Sequence, residues 1–338
     1  MTFDPNGKVV AILGATGVVG AQMMQCLEER NFPIKELVLL ASARSAGKTI
    51  EFAGQQIEIR EATPEAFEGV DIVLGAAGDE QAKELLPEAV KRGCVCVDNS
   101  HAFRMDPNVP LVIPEINAED IKNHNGIISN PNCATIIGLV PLYPLHNAAG
   151  AKRIIASTYQ AASGAGLPGL TSLKNQMADV VAGREVTETA PFAYQLAVNL
   201  IPQIGGFDEV GYTSEEMKMQ NEGRKIMHLP ELRVNCTRVP TMRSHSESIT
   251  VEFERPLSPD EARAILEDAP GIKVVDNPAE LQYPMPLDTS DQDLIYVGRI
   301  REDLSADKDT HALTFFCCGD QIRKGAATNA VQIAEYLL

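Results

Sequence analysis

The fold is decided by KVVAILGATGVVG, residues 8–20, which reads as a buried β-strand, a glycine-rich turn and the start of a helix. Gly14, Gly17 and Gly20 let a backbone approach a pyrophosphate, and the following helix N-terminus supplies free N–H groups and positive potential. Because the spacing is GxxGxxG rather than GxGxxG, a tight turn without a ligand stays open as the alternative. The position at the first strand–helix junction favours a dinucleotide site.

Strand-like and helix-like segments alternate outward from this stretch. The order continues as GAQMMQCLEERN, ELVLLAS, VDIVLGAAG, DEQAKELLPEAVKRG and CVCVDNS. Repeated strand–helix–strand order predicts a parallel sheet with right-handed crossovers. We therefore expect a Rossmann-like, doubly wound α/β domain.

The pattern changes after about residue 133, where longer strand candidates are separated by helical stretches. The strand candidates are KRIIASTYQAAS, RVNCTRVP, SITVEFE and HALTFFCCG. They predict an α+β domain with a mostly antiparallel sheet. The closing KGAATNAVQIAEYLL has helical periodicity and is expected to return to the first domain. The predicted division is 1–132 plus 319–338 for the first domain and 133–318 for the second.

Composition limits the classes of molecule that this protein is expected to bind. The 338 residues carry a net charge of −17, which argues against a nucleic-acid or anionic-membrane surface and favours small molecules or other subunits. A start without a basic and apolar leader, and apolar runs shorter than roughly 18 residues, predict a cytoplasmic protein. The most apolar segment, 134–150, contains Pro141 and Pro144, so we expect a buried helix that ends early.

The seven cysteines have no disulfide spacing, and Cys94/Cys96 and Cys317/Cys318 lack the CxxC spacing of a zinc site. Most are expected to be small buried hydrophobes, and no metal is implied. Cys133 is placed differently, in ISNPNCATIIG, residues 128–138.

That stretch reads as a strand end, a proline turn and a helix start, with Asn130 or Asn132 as cap. In the first turn a thiol feels the helix dipole, which lowers its pKa from about 8.5. Nearby N–H groups would stabilise an oxyanion. Position alone leaves Cys133 open as either a nucleophile or core filler.

The turn after the second predicted strand, ASARSAGK, has no carboxylate between Leu37 and Thr49 that could hold a ribose 2′-hydroxyl. Arg44, Ser45 and Lys48 could instead meet a 2′-phosphate, which favours NADP over NAD. A solvated basic turn is the alternative.

NPNCAT, preceded by VDNSHAFRMD and VPLVIPEIN, resembles aspartate-β-semialdehyde dehydrogenases. The likeness continues through TYQAASGAG, IPQIGGFDEVGYTSEEMKMQNEGRKIM, RVPTMRSHSESITVEFE and RKGAATNA, in the order typical of that family and over nearly the whole chain. The resemblance implies reversible NADP-dependent reductive dephosphorylation of L-aspartyl-4-phosphate to L-aspartate 4-semialdehyde through a cysteine thioester. It places the enzyme in the biosynthesis of lysine and diaminopimelate, threonine, methionine and isoleucine. It also implies a homodimer formed through the second domain, in some members paired into a tetramer.

The same resemblance assigns roles to residues. Cys133 would be the nucleophile and His245 the general acid/base. Gln160 would position the acyl group, Arg238 would bind the α-carboxylate and Glu215 the ammonium. Phosphate would meet Arg104, Asn132 and Lys218. The cofactor would meet Thr16, Gly17, Val18, Val19, Arg44, Ser45, Ser163, Gly164 and Gln321.

If the family motifs are set aside, several of these residues also allow a purely structural interpretation. His245 could be a core histidine, Arg238 a surface ion pair and Gln160 a solvent-facing side chain. Glu215, Lys218 and Glu222, at i, i+3 and i+7, could form a solvated helix face.

The chain departs from the family pattern in two places. The family often has Asp-Asn where this chain has Asp320-Gln321. At 75–78 this chain has GAAG, where serine-rich segments are expected in the family.

Two other functions compete. N-acetyl-γ-glutamyl-phosphate reductases share the fold and the chemistry but show NPGC, where this chain has Asn132 before Cys133. A non-catalytic nucleotide-binding paralogue would lack the cysteine, histidine or arginine, and this chain has all three.

Overall fold

The computed structural model describes residues 3–229, 232–307 and 310–338. The chain divides into two compact units, Met1–Asn132 with Ala326–Leu338, and Cys133–Gly325. In this division the returning segment starts at Ala326, against residue 319 in the division expected from sequence.

In chain order, the α-helices are α1 (Val18–Glu29), α2 (Asp79–Lys91), α3 (Pro114–Asn117), α4 (Cys133–Ala149), α5 (Gly166–Val181), α6 (Ser214–Met227), α7 (Pro259–Glu267), α8 (Pro286–Thr289) and α9 (Thr328–Glu335). A π-helical segment, Arg323–Ala327, leads into α9. Among the residues that the structure describes, none of these helices combines the length and apolarity needed to span a membrane.

The first unit holds a seven-stranded sheet in the order β3-β4-β2-β1-β5-β6-β7. Its strands are β1 (Lys8–Leu13), β2 (Ile34–Ala41), β3 (Thr49–Phe52), β4 (Gln55–Glu61), β5 (Ile72–Gly75), β6 (Val95–Asp98) and β7 (Ile127–Ser129). Only the edge pair β3–β4 is antiparallel. The prediction of a doubly wound α/β domain is confirmed, although the β3–β4 hairpin was not predicted.

Both faces of this sheet are buried, which explains the continuous apolar runs of its strands. Val10 and Ile12 of β1 pack in one cluster with apolar residues of α1 and α9. Ala11 and Leu13 point to the other face and pack with apolar residues of α2. The glycine turn directly follows the last residue of β1, so it lies at the carboxyl edge of the parallel strands.

The second unit holds a six-stranded sheet in the order β11-β12-β13-β10-β8-β9. Its strands are β8 (Ala151–Gln160), β9 (Leu232–Arg238), β10 (His245–Phe253), β11 (Ile272–Val274), β12 (Ile295–Glu302) and β13 (His311–Gly319). The central pairs are antiparallel, while β8–β9 and β11–β12 are parallel. The predicted, mostly antiparallel sheet is confirmed, and β11 and β12 are additions to it.

Helix α4 does not end early, so that expectation is wrong. It runs from Cys133 to Ala149 through Pro141 and Pro144, and most of its residues are buried. Pro141 cannot bond the carbonyl of Ile137, four residues earlier. That carbonyl instead accepts a hydrogen bond from the Cys317 thiol, at 3.8 Å. A partner from β13 thus satisfies the group that the proline frees.

Candidate active site

Cys133 is the first residue of α4 and differs from the other cysteines in its surroundings. Six of the seven cysteine side chains are buried, whereas Cys133 is half-buried. Burial raises the pKa of Cys94 to about 11 and that of Cys318 to about 12. Cys133 is therefore the thiol best placed to react.

The Sγ atom of Cys133 lies 3.4 Å from Nε2 of His245, the first residue of β10. The backbone N–H of Ala161 donates to Nδ1 of the same ring, at 3.1 Å. Since Nδ1 is an acceptor, the neutral ring carries its hydrogen on Nε2, facing the sulfur. Complete burial, and then the charge of Arg238, hold the pKa of His245 well below its usual value, so the ring is neutral near pH 7.

Arg238 ends β9 beside Gln160, its register partner at the end of β8. Arg238 is 7% exposed, and its Nη1 donates to the carbonyl of Ala161 at 2.6 Å. Burial lowers the pKa of Arg238, while the negative charges of Glu215 and Cys133 oppose that effect. Arg238 is therefore a buried cation that interacts electrostatically with Glu215, the predicted ammonium ligand, and with Cys133. Neither Arg238 nor Gln160, which is 1% exposed, is a surface residue.

Two glycines leave room around these groups. A Cβ atom on Gly164 would lie 2.6 Å from Nη1 of Arg238 and 3.2 Å from Cε1 of His245. A Cβ atom on Gly325 would lie 2.9 Å from Cβ of Cys133. Gly325 is a site residue that sequence reasoning missed, although its place in the RKGAA block was a usable signal.

Helix α6 presents the predicted acidic and basic residues. Thr213 caps it in a reciprocal capping box with Glu216, so its first turn is well defined. Glu215 is buried and accepts from Lys218 at 3.2 Å, and Glu222 is fully buried. The structural alternative, in which this side of α6 is a solvated ion-pair face, therefore does not hold for the two glutamates.

Gln321 and Ser163, both predicted cofactor ligands, lie together. The Gln321 side-chain oxygen accepts from the backbone N–H of Ser244 at 2.8 Å, and its amide donates to the Ser163 hydroxyl. Both side chains are buried. The pair fixes the loop that carries Gly164.

The glycine turn in the first unit fits a dinucleotide. Gly14 has φ +89°, and a Cβ atom there would lie 2.7 Å from the carbonyl oxygen of Ala76, so only glycine is accommodated. Gly17 caps α1 without a side-chain bond, and the first turn holds no acidic residue. Thr16 and Gly17 are exposed, and Val18 and Val19 are half-buried. Free N–H groups here suit a pyrophosphate.

Arg44 and Ser45 follow β2 on the same edge. The Leu40 carbonyl of β2 accepts from the N–H groups of Gly14 and Ala15, at 2.8 and 3.1 Å, which ties the two turns together. Arg44 is exposed and Ser45 half-buried. The exposed Arg44 side chain is therefore a cation that an anion at this edge of the sheet could reach.

Arg104 and Asn132, predicted phosphate ligands, are both largely buried in the first unit. Arg104 donates from Nε to the carbonyl of Asn130 at 2.9 Å and from Nη2 to that of Asn99 at 2.7 Å. The guanidinium is thus anchored to the segment that leads to Asn132.

Comparison of the sequence with known proteins shows which family has this arrangement of residues. Residues 9–124 match the model described as semialdehyde dehydrogenase, NAD binding domain, and residues 142–324 match the semialdehyde dehydrogenase dimerisation domain. An aspartate-semialdehyde dehydrogenase of Aquifex aeolicus is 49% identical over 337 residues, 98% of each chain. The chain belongs to the aspartate-semialdehyde dehydrogenase family.

Solved structures agree with this membership. Aspartate-semialdehyde dehydrogenase II of Vibrio cholerae, complexed with ASA, has a TM-score of 0.94 at 41% identity over 98% of both chains. An aspartate-semialdehyde dehydrogenase of Candida albicans with NADP has a TM-score of 0.75 at 25% identity, over 98% of both chains. The chain is an oxidoreductase acting on an aldehyde. The comparisons do not favour the reductase or the non-catalytic alternative.

Proposed function

We propose that the enzyme interconverts L-aspartate 4-semialdehyde and L-aspartyl-4-phosphate through a thioester on Cys133, with NADP as cofactor. The observation that carries this proposal is the 3.4 Å approach of Cys133 Sγ to His245 Nε2, next to the buried Arg238 cation. A nucleophile, a hydrogen-bond donor and a carboxylate-binding group are what covalent acyl transfer on an amino acid needs.

The substrate is held at its two ends. Arg238 pairs with the α-carboxylate, since a planar guanidinium matches a carboxylate in a bidentate way. Glu215 meets the ammonium, and Gln160 orients the aldehyde or acyl group near Cys133. Glu215 and Arg238 attract each other electrostatically. The site thus offers one negative group for the substrate ammonium and one positive group for its carboxylate.

In the oxidative direction the Cys133 thiolate adds to the aldehyde carbon and leaves an oxygen anion. The proton of the Cys133 thiol passes to water before the attack, and His245, for which we propose the general acid/base position, acts at Nε2: its hydrogen faces the sulfur in the neutral tautomer and stabilises that oxygen by a hydrogen bond. A nicotinamide held beside Ser163, Gly164 and Gln321 would supply the hydride acceptor for the same carbon, which would then be at the oxidation level of a thioester. A phosphate oxygen then attacks this carbon, the C–S bond breaks and the thiolate is restored. The remaining phosphate proton passes to water.

Phosphate is positioned by Arg104, Asn132 and Lys218 in this proposal. Asn132 and Arg104 are nearly buried, and Lys218 is tied to Glu215. Charge-assisted bonds from these groups would hold the anion in a protein of net charge −17.

NADP is proposed over NAD because Arg44 is exposed beside the glycine turn and the segment between Leu37 and Thr49 has no carboxylate. Thr16, Gly17, Val18 and Val19 would receive the pyrophosphate. Ser163, Gly164 and Gln321 would lie against the nicotinamide.

The working form is proposed to be a homodimer, with a tetramer as a further assembly, in the cytoplasm. In the second unit, Ile155 and Tyr159 of β8 are 39% and 40% exposed, and the ring of Tyr159 lies 6.4 Å from that of Phe316 of β13, tilted by 37°. These exposed apolar side chains, on a face that also carries the Arg153–Glu252 ion pair, suit contact with a second copy of the chain, in keeping with a dimerisation domain. Sedimentation equilibrium measures the assembly.

The activity is tested with purified enzyme by following NADP reduction. Continuous reduction over many turnovers is expected only when aspartate semialdehyde and phosphate are both present, and NAD is expected to support it less well. N-acetylglutamate semialdehyde is the rival substrate. Preference for that rival would overturn the proposed function.

A further inference from the structure

The segment between β7 and α4 begins at Asn130, whose polar groups are all bonded within the first unit. Its backbone N–H donates to the carbonyl of Asp98 at 2.8 Å, and its own carbonyl accepts from Arg104 at 2.9 Å. Its side-chain amide donates to Asn99 at 2.9 Å, and its side-chain oxygen accepts from Asn329 at 2.6 Å. Asn130 is thus held from four directions.

Asn329 reaches this point from α9, almost 200 residues later in the chain. Its amide nitrogen also donates to the carbonyl of Val112 at 3.0 Å, and both Asn329 and Asn130 are fully buried. At the other end, the Asn99 side chain donates to the carbonyl of Gly75 at 2.9 Å. A chain of three amides therefore links α9, the segment before Cys133 and the end of β5. Buried amides whose bonds are all made give a rigid, specific geometry.

We infer that Asn329 is a positioning residue for phosphate: through Asn130 it fixes the two phosphate ligands Arg104 and Asn132. Arg104 is anchored to the Asn130 carbonyl, and Asn132 follows Asn130 after a single proline, whose ring fixes φ. Displacement of Asn130 moves both groups together. Asn329 itself touches no substrate. The inference rests on the proposed function, because it takes Arg104 and Asn132 as phosphate ligands.

The test compares the KM for phosphate with the KM for semialdehyde in Asn329→Ala. Loss of one net hydrogen bond corresponds to about a three- to tenfold change. We expect the phosphate KM to rise by about that factor while the semialdehyde KM stays at its wild-type value. Asn130→Ala should raise the same constant, and the double variant should raise it by less than the product of the two single effects, because Asn329 and Asn130 share a hydrogen bond.

Gln332→Ala is the matched control, because Gln332 lies on the same helix and donates to Glu115 at 3.1 Å. It should leave both constants unchanged. If Asn329→Ala does not fold, Asn329→Ser, which keeps a donor, should show a smaller rise in the same constant.

An unchanged phosphate KM in Asn329→Ala overturns the inference, as does an equal rise in both constants. Arg104→Lys separates this failure from that of the proposed function. If Arg104→Lys raises the phosphate KM and Asn329→Ala does not, the phosphate site stands and the positioning role falls. If Arg104→Lys has no effect, the phosphate assignment itself is wrong.

Discussion

A Cβ atom on Gly325 would lie 2.9 Å from Cβ of Cys133, closer than two carbon atoms can approach without displacement. Gly325 belongs to the π-helical segment Arg323–Ala327, and such segments often occur at functional sites. Because Gly325 has no side chain, the backbone of the π-helical segment can pass close to Cys133 without displacing it from His245.

Gly325→Ala should therefore displace the nucleophile. We expect kcat to fall by about tenfold or more, since small misplacements of reacting groups are costly. Alkylation of Cys133 by iodoacetamide should slow in parallel. Gly223→Ala is the matched control, because its new methyl group would meet nothing nearer than 3.4 Å. Unchanged kcat and alkylation rate in Gly325→Ala would show that the contact is harmless.

His245 should support catalysis as a neutral ring. Because burial and Arg238 hold its pKa well below its usual value, protonation of the ring should affect kcat only below about pH 6.5. His245→Ala should lower kcat by about 100- to 1000-fold, as loss of an oxyanion donor does. His245→Gln, which can still donate, should lose less. A pH–rate profile whose acidic limb lies above pH 7 and disappears in His245→Ala would contradict the neutral ring.

Arg238→Lys should mainly raise the KM for the semialdehyde. A point charge replaces a planar fork, so the carboxylate loses one of two parallel hydrogen bonds. The expected change is about tenfold in KM with a smaller change in kcat. Steady-state kinetics at saturating phosphate and NADP measures both, and an unchanged KM rejects the carboxylate role.

Glu247, two residues after His245 on the same face of β10, is fully buried. Neither of its carboxylate oxygens has a hydrogen-bond partner among the residues that the structure describes. Burial, and then the charge of Glu215, raise its pKa well above the usual value, so the folded enzyme keeps this proton when the unfolded chain loses it. The free energy of unfolding should therefore fall as pH rises above about 4.5, by at most about 1.4 kcal/mol per pH unit.

Glu247→Gln should remove this contribution and be more stable than the wild type at pH 8, with a smaller difference at pH 4. Urea unfolding at the two pH values measures it. Glu261→Gln is the opposite control: bonds from Ser258 lower the pKa of Glu261, so its contribution is lost as pH falls. A Glu247→Gln variant with the pH dependence of the wild type would show that Glu247 is ionised in the folded enzyme.

The sequence predicted the elements whose signal is local. Strand β1, the glycine turn and α1 follow from the apolar run and glycine spacing of residues 8–20, and the face of α6 follows from Glu215, Lys218 and Glu222 at i, i+3 and i+7. Helix α4 was misjudged because the carbonyl that Pro141 frees finds a tertiary partner, Cys317, 180 residues away in the sequence.

The site was predictable in kind but not in geometry. The motifs carry Cys133, His245 and Arg238, yet the tautomer of His245 depends on the backbone of Ala161, and the space beside Cys133 depends on Gly325. Both relations join segments far apart in sequence. No periodicity or spacing encodes such contacts, because the packing of β8, β10 and the π segment creates them.

The central claim is that Cys133 carries the acyl group. The most direct measurement incubates the enzyme with aspartate semialdehyde and NADP without phosphate, and follows NADPH release together with the mass of each cysteine-containing peptide. We expect a burst of about one NADPH per subunit, with an aspartyl adduct on Cys133 that phosphate releases. Cys133→Ser should show neither burst nor adduct while still binding NADP. An adduct on another cysteine, or a full burst in Cys133→Ser, would contradict the account.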